Sequence, residues 1–533
     1  MPKVEEKKSK ERDGGRRNLR RWIVVGVIGV LAVAGMVVAL VYTLQSLGLR
    51  GVSFSAESGF YERDIDLEIK PDGWFLTQPI SIKYNMNGDD LENTNDLYSG
   101  AIKLEVPEEG YKLYTITVTA CKKDNECTEP EVATYVLGKN LDEDVTIDIV
   151  NINSSQHNLY DYNEGIMVGG RTYDENEAVG AGGFIEGNYN NRGKGWMRDA
   201  FITRFNTGGE VIWNQGARIG ISGGTSSSYA VKSLKVSIVP QDGGNPMTFR
   251  LRSGSQDQFS GNVRSSVVDR LAEESGFDGR TGSKRMVVFL NGDYYGIFDM
   301  QTTFSEQNLL QRFNLSKEKN IKRVSSSEKD VFGAFKIEEE YWDGLDSEEN
   351  RKRIEEMVDM DDYLEYYAIS ILVNNTDWPT NNFAAWRFKN NGKTDNKYED
   401  GRIRFLIRDT DLIYYTEGNI DWFDGAIGDI FQSMMDNENR GNSSSFRQVM
   451  SSKYYSQRFI ELLRELINGP FATENVLRII DEEAAKIEHQ VKLFSSAEEY
   501  EEWKDQIELM RKAASGREGQ MRWNVKEYFD TEL

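Results

Sequence analysis

The chain predicts an α+β fold: a two-lobed domain over residues 145–533, preceded by one membrane-spanning helix and a small β-sandwich. Three observations carry that expectation. An uncharged apolar run from Trp22 to Leu44 follows a basic amino terminus. Residues 51–138 alternate apolar and polar side chains between turn residues, the period-two signature of strands. Beyond residue 145 the pattern changes once, from strands punctuated by glycine turns to long stretches of helical periodicity.

The elements follow in order. Residues 1–21 form a basic tail in which Lys3, Lys7, Lys8, Lys10, Arg12, Arg16, Arg17, Arg20 and Arg21 outnumber the acids. The run at 22–45 is long enough to cross a hydrocarbon core of about 30 Å as one helix. Positive charge before it keeps the amino terminus inside and places everything after about Arg50 outside the cell membrane. A cleaved signal peptide is the competing reading, through A-V-A at 32–34, but the apolar run continues well past that motif. The net charge of −23 argues against nucleic acid as a partner and suits an exported protein. Cys121 and Cys127 flank a turn and can bridge two strand ends on the oxidising side; the alternative is two unpaired small residues. Two close cysteines and only two histidines rule out a zinc site of the usual kind and argue against a His-dependent hydrolase.

Strands D-I-D-L-E-I, I-S-I-K-Y and Y-T-I-T-V-T-A make the β-sandwich of 51–138. A polar linker, G-K-N-L-D-E-D, leads into a strand-rich lobe over 145–310. One helix breaks that lobe, from about Val263 to Ser275, with Val267, Val268, Leu271 and Ala272 at helical spacing and Gly276 as its stop. An Asn-Gly hairpin follows in L-N-G-D-Y-Y-G-I-F at 290–298. The second lobe, 311–533, reads as helical, with the Asp377 segment and an I-R-F-L-I-R strand embedded in it.

That segment carries the chemistry. Asp377 is followed at plus five by Asn382, and Asp409 and Asp411 close the next strand in R-D-T-D-L. Phosphoryl transfer needs hard oxygen ligands for a divalent metal and one carboxylate at the attacking hydroxyl, and protein kinases space an Asp, an Asn and a further Asp in this way. A capped turn between helices accounts for Asp-x4-Asn alone, because both residues favour turns. In I-S-G-G-T-S-S-S, Gly223 and Gly224 can let backbone N–H groups approach phosphate oxygens. Lys232, in the following V-K-S-L-K-V, is a candidate phosphate ligand on the same strand face as Leu234. Its ion-pair partner is expected from the single helix: Glu274 shares the stripe of Val267 and Leu271, whereas Asp269 points away.

Two resemblances follow from these residues. S-G-F-Y at 58–61, I-K-Y-N-M-N-G-D at 82–89, Y-S-G-A-I at 98–102 and A-T-Y-V resemble the chitobiase/β-hexosaminidase C-terminal type module, which accompanies other domains and implies a spacer, or alternatively carbohydrate contact. G-I-M-V-G-G-R-T-Y-D at 165–174, G-K-G-W-M-R-D-A-F-I at 193–202, A-R-I-G-I-S-G-G at 217–224, the 290–298 hairpin, D-D-Y-L-E-Y-Y at 361–367 and R-D-T-D-L at 408–412 resemble the CotH kinase family. That family has an atypical protein-kinase-like bilobal fold. The resemblance implies ATP as cofactor with Mg2+ or Mn2+, and a protein acceptor at the cell surface. It implies Asp377 as the catalytic acid that orients the acceptor hydroxyl. Asn382, Asp409 and Asp411 then hold metal, and Lys232, Gly223, Gly224 and Glu274 form the nucleotide side. Two departures stand against it: Thr302 where the family usually places a hinge Glu, and S-S at 265–266 in place of an acid after Arg264.

The expected function is therefore a membrane-anchored extracellular kinase transferring phosphate from ATP to Ser or Thr of a secreted or cell-surface protein. A catalytically inactive pseudokinase acting as a surface binding module is the first alternative. A carbohydrate-active surface protein is the second, and it would need two facing carboxylates across a sugar cleft.

Overall fold

The computed structural model describes residues 49–73, 79–86, 88, 97–123, 126–178, 185–238, 247–325, 330–389, 395–415, 428–436 and 443–533. The basic tail and the 22–45 run lie outside the described residues; among those described, no helix is long and apolar enough to cross a membrane. Helix and sheet are both extensive, as the α+β expectation requires.

Among the described residues up to Gly138 the strands are β1 (Leu49–Phe54), β2 (Gly59–Tyr61), β3 (Ile65–Leu67), β4 (Ile69–Gly73), β5 (Ile80–Met86), β6 (Ile102–Leu104), β7 (Tyr111–Lys122) and β8 (Glu131–Gly138). The chain divides into two compact units, the smaller comprising residues up to Glu57, Asp64–Leu104 and Ile116–Ala133. Within it β1 pairs antiparallel with β4, β3 with β6, and β5 with the end of β7, where Ile80 faces Lys122 and Met86 faces Ile116. Cys121 and Cys127 are joined as a disulfide across the turn after β7. The unit boundaries differ from those drawn at 51 and 138. Ser58–Arg63, Glu105–Thr115 and everything from Thr134 belong to the larger unit, in which β2 runs parallel to the end of β8.

The larger unit contains a closed barrel. Its strands are β9 (Asp148–Asn153), β10 (Arg198–Phe205), β11 (Val211–Ile221), β12 (Leu234–Ile238), β13 (Met247–Arg252), β14 (Ser283–Leu290) and β15 (Asp293–Thr302), in the order β10-β11-β12-β13-β15-β14-β9. Alternation sorts their side chains. Val150, Ile152, Ile202, Ile219, Leu234, Val236, Phe249, Leu251, Met286, Val288 and Phe298 fill one core. Ile149, Val287, Phe289 and Ile297, on the opposite face, join a second core with Val267, Val268 and Leu271 of the helix Arg264–Glu274. The β14–β15 turn uses Asn291 (φ 55°) and Gly292 (φ 86°), two left-handed residues as an Asn-Gly hairpin requires. The barrel region also holds helices Gln156–Tyr160 and Gly170–Ala178, beyond the one helix expected.

The carboxy-terminal part is built around the helix Met360–Leu372, in which ten residues are buried. The helix Lys453–Ile467 buries Tyr455, Phe459, Ile460, Leu463, Leu466 and Ile467, spacings of three and four that make one apolar face. Embedded here is a small sheet of β16 (Ile321–Ser325), β17 (Ala384–Phe388) and β18 (Arg404–Phe405). The expected I-R-F-L-I-R strand thus shrinks to two residues. Beyond Phe405, Leu406 N–H bonds to Ala384 and Ile407 N–H to Gly279, so successive amides find different partners and no ladder continues.

Candidate active site

The segment bearing Asp377 is pinned on both sides. The helix Met360–Leu372 ends at Asn374 in the left-handed region (φ 51°), whose Oδ1 accepts the Ile430 N–H at 2.9 Å. Thr376 donates N–H and Oγ1–H to the Leu412 carbonyl, each at 3.2 Å. Trp378 is 1% exposed, and its Nε1–H donates to Tyr366 OH at 2.7 Å. Asp377 therefore projects from a backbone fixed by a buried indole and by the 409–415 strip.

Its carboxylate is oriented by amides. Asn381 Nδ2 donates to Oδ1 at 2.8 Å and Asn382 Nδ2 to Oδ2 at 2.7 Å. Asn382 Nδ2 also reaches the Asp409 carbonyl at 3.4 Å. Asn382 (φ 60°) and Asp409 (φ 55°) are both left-handed, a conformation that Asn and Asp tolerate better than most residues and that surrounding contacts must hold. The trio read from spacing alone is thus one contact network.

From Asp409 the network enters the barrel. Arg252, the last residue of β13 and 2% exposed, pairs through Nη1 with Asp409 Oδ1 and through Nη2 with Asp411 Oδ1 at 2.8 Å. Arg250 Nη1 lies 4.0 Å from Asp409 Oδ1, and Arg408 Nη2 lies 3.5 Å from Oδ2. Burial, and then the neighbouring arginines, bring both the Arg250 and the Arg408 guanidinium down to about 10, which leaves them charged at neutral pH. Asp411 is 5% exposed and also accepts the Gln256 N–H at 3.2 Å. Arg264, at the start of the helix Arg264–Glu274, secures the same strip: its Nε–H donates to the Ile413 carbonyl at 2.9 Å and its Nη1 pairs with Asp257 at 2.5 Å.

The expected nucleotide residues fare differently. Lys232 precedes β12 and is 5% exposed; its ammonium donates to the Tyr229 carbonyl at 2.5 Å and lies 4.7 Å from the Tyr189 ring centre. Burial lowers it to about 8. Gly223 and Gly224 lead into the turn Thr225–Ser228, where the Gly223 carbonyl accepts from Arg192 Nη2 and the Gly224 carbonyl from Ser227 Oγ, both at 2.7 Å. That loop reaches toward the acids through intermediaries: Ser226 Oγ meets Ser255 Oγ at 3.3 Å, next to Gln256, whose N–H bonds to Asp411.

Glu274 is a correction. Its carboxylate pairs with Arg270 at 3.4 Å and Arg478 at 3.1 Å and accepts from Asn475 at 2.8 Å, so it faces the helix Thr473–Phe494 and not Lys232. Asp269, expected to point away, is the buried acid, held by Arg280 at 3.2 Å and the Gly282 N–H at 2.8 Å. The helix packs against protein on more than one side, so its apolar stripe does not tell which acid turns inward.

Residues missed from the sequence are Arg250, Arg252 and Arg408. A signal was present in F-R-L-R at 249–252, where arginines alternate with the core residues Phe249 and Leu251. Hard oxygen donors suited to Mg2+ or Mn2+ stand in Asn382, Asp409 and Asp411, although both Asp409 oxygens face guanidinium groups. Among the described residues no group of three or more His, Cys, Asp or Glu is arranged to hold a metal ion.

Residues 334–521 match the family described as CotH kinase protein, a stretch that contains Asp377, Asn382, Asp409 and Asp411. The CotH kinase resemblance holds there. The match supports a kinase-like protein, and it leaves Lys232, Gly223, Gly224 and Glu274 outside. Among solved structures, the Helicobacter pylori proinflammatory kinase CtkA is 11% identical, with 54% of this chain and 94% of that chain covered and a TM-score of 0.25, a likeness too slight to carry an argument. No curated protein matches the chain.

Proposed function

We propose that this protein is a membrane-anchored kinase of the CotH type, acting outside the cell to transfer the terminal phosphoryl group of ATP to Ser or Thr of a secreted or cell-surface protein. One observation carries the reading: Asp377, Asn382 and Asp409 form one contact network inside the CotH-matching stretch. Asp377, held at both oxygens by amides, would accept the acceptor hydroxyl proton and fix its direction of attack. Asn382, Asp409 and Asp411 would hold a divalent ion, which when bound offsets charge on the phosphate oxygens. The 51–138 strands serve as a spacer between anchor and kinase.

A second reading has its own support. Guanidinium groups stand at both Asp409 oxygens, where a metal would bind, as in a pseudokinase that binds without turnover. Incubation of the purified full-length protein with labelled ATP and Mg2+ or Mn2+ separates the two. Label incorporation that disappears in Asp377→Ala and Asp409→Ala supports the kinase. ATP binding with no incorporation under either metal, alone or with surface-protein extracts, turns the assignment to the pseudokinase.

A further inference from the structure

The phosphate-binding cations of this site are, we propose, the arginines Arg250 and Arg252 of β13 together with Arg408, in the role expected of Lys232. The identity of the ligand as a nucleoside triphosphate rests on the kinase reading; the oligophosphate chemistry of the cluster stands without it.

Three guanidinium groups converge on one carboxylate. Arg252 touches Asp409 Oδ1, Arg250 lies 4.0 Å from the same oxygen, and Arg408 lies 3.5 Å from Oδ2. Among the described residues, Asp411 supplies the one further negative charge in contact, through Arg252. Three fixed positive charges against two negative ones, gathered in a partly dehydrated site, leave an excess that an anionic ligand would offset. Arg252 is 2% exposed, and its Nε–H has no hydrogen-bond partner among the described residues, so a buried donor stands ready for an acceptor. Arg250 and Arg408 keep a quarter of their side chains exposed, enough for a ligand to reach them. Guanidinium forks match phosphate oxygens in pairs, which a single ammonium does not.

The positive surface extends beyond these three. Arg250 lies beside Lys235 across the β12–β13 ladder. Lys235 lines a cavity of about 510 Å³ with Arg192, Lys194, Arg218, Trp196 and Ile221, and no acid lines it. Further cations thus stand beside the cluster across this ladder, although Arg218 among them is already paired with Asp199 at 3.1 Å. Lys232 offers no comparable surface: it is buried, bonds to the Tyr229 carbonyl and covers the Tyr189 ring.

The test uses the full-length protein and calorimetric titration with inorganic tripolyphosphate and with ATP, each with and without Mg2+. Wild type is expected to bind both ligands, and tripolyphosphate without metal. Arg250→Ala and Arg408→Ala should each weaken both by about 10-fold or more, as expected for loss of a charged hydrogen bond, and by more than Lys232→Ala does. ATP binding that is unchanged in both arginine variants overturns the inference and leaves the kinase reading standing. Tripolyphosphate binding without ATP binding overturns the kinase reading and keeps the cluster as an oligophosphate site. Binding of neither overturns both. Should the variants fail to fold, phenylglyoxal modification of wild type decides: tripolyphosphate must protect Arg250 and Arg408, and equal modification with and without it sinks the proposal.

Discussion

Arg264 and Asp257 give the sharpest energetic prediction. Arg264 is fully buried, Asp257 is 1% exposed, and their side chains meet at 2.5 Å. The same guanidinium serves the Ile413 and Ser260 carbonyls and lies 4.0 Å from the Tyr415 ring centre, so it ties the helix Arg264–Glu274 to the strip carrying Asp409 and Asp411. Arg264→Met leaves a buried carboxylate whose remaining help includes the backbone N–H of residue 264, at 2.7 Å in the wild type. Removing one partner of a buried pair costs about 3–5 kcal/mol. Asp257→Leu, which strands the guanidinium, falls in a similar range of about 3 kcal/mol or more. The double variant removes both charges and leaves mainly two carbonyls without their donor, roughly 2 kcal/mol in all. The expected coupling is therefore at least about 3 kcal/mol in favour of the double variant over the sum of the singles. Urea unfolding of the four proteins, followed by tryptophan fluorescence, measures it. Additive costs would refute the reasoning, because they would mean that neither charge depends on the other.

Other expectations follow from the same contacts. Asn382→Ala removes the amide at Asp377 Oδ2 and one proposed metal donor, and should lower turnover by about 10²-fold while also raising KM for ATP, read from initial rates. Burial puts Lys232 at about 8, below its unfolded value, so the unfolded chain binds more protons between about pH 8 and 10.5; stability should rise with pH across that window, by at most about 3 kcal/mol, and Lys232→Met should flatten the rise in melts at graded pH. Glu365, in the helix Met360–Leu372, behaves oppositely. Burial, then repulsion from Asp278 and Asp361, pushes its carboxyl up to about 7, so the native state holds the extra proton and stability falls as pH rises from about 4.5 to 7, a loss that Glu365→Gln should abolish. At Gly223 (φ +119°) a Cβ would sit 2.9 Å from Ser226 Oγ, whereas one at Gly224 meets nothing within 4 Å; Gly223→Ala should lower the melting temperature and Gly224→Ala should not, and reduced ATP affinity in Gly224→Ala alone would mark close backbone approach by the ligand.

What could be read from the sequence divides along a physical line. Asp377 and Asn382 are five residues apart on one turn, so local geometry fixes their contact, and spacing alone could propose it. The 290–298 hairpin and the helix Arg264–Glu274 were legible for the same reason: an Asn-Gly turn and a helical apolar repeat are written within a dozen residues. The convergence of Arg252 with Asp409 and Asp411 is a different kind of fact. It depends on how the end of β13 meets a strip more than 150 residues later, and nothing local encodes that meeting. Lys232 shows the consequence. A lysine after a glycine-rich loop was the better local pattern, yet the barrel turns it toward Tyr189 and the Tyr229 carbonyl, while the less conspicuous F-R-L-R strand delivers its arginines to the acids. Glu274 failed for a related reason, since a helix covered on several sides offers more than one inward direction, and Arg270, Arg478 and Asn475 claim that carboxylate first. The acids of this site are therefore a property of one segment, whereas the arginines that meet them are a property of the fold.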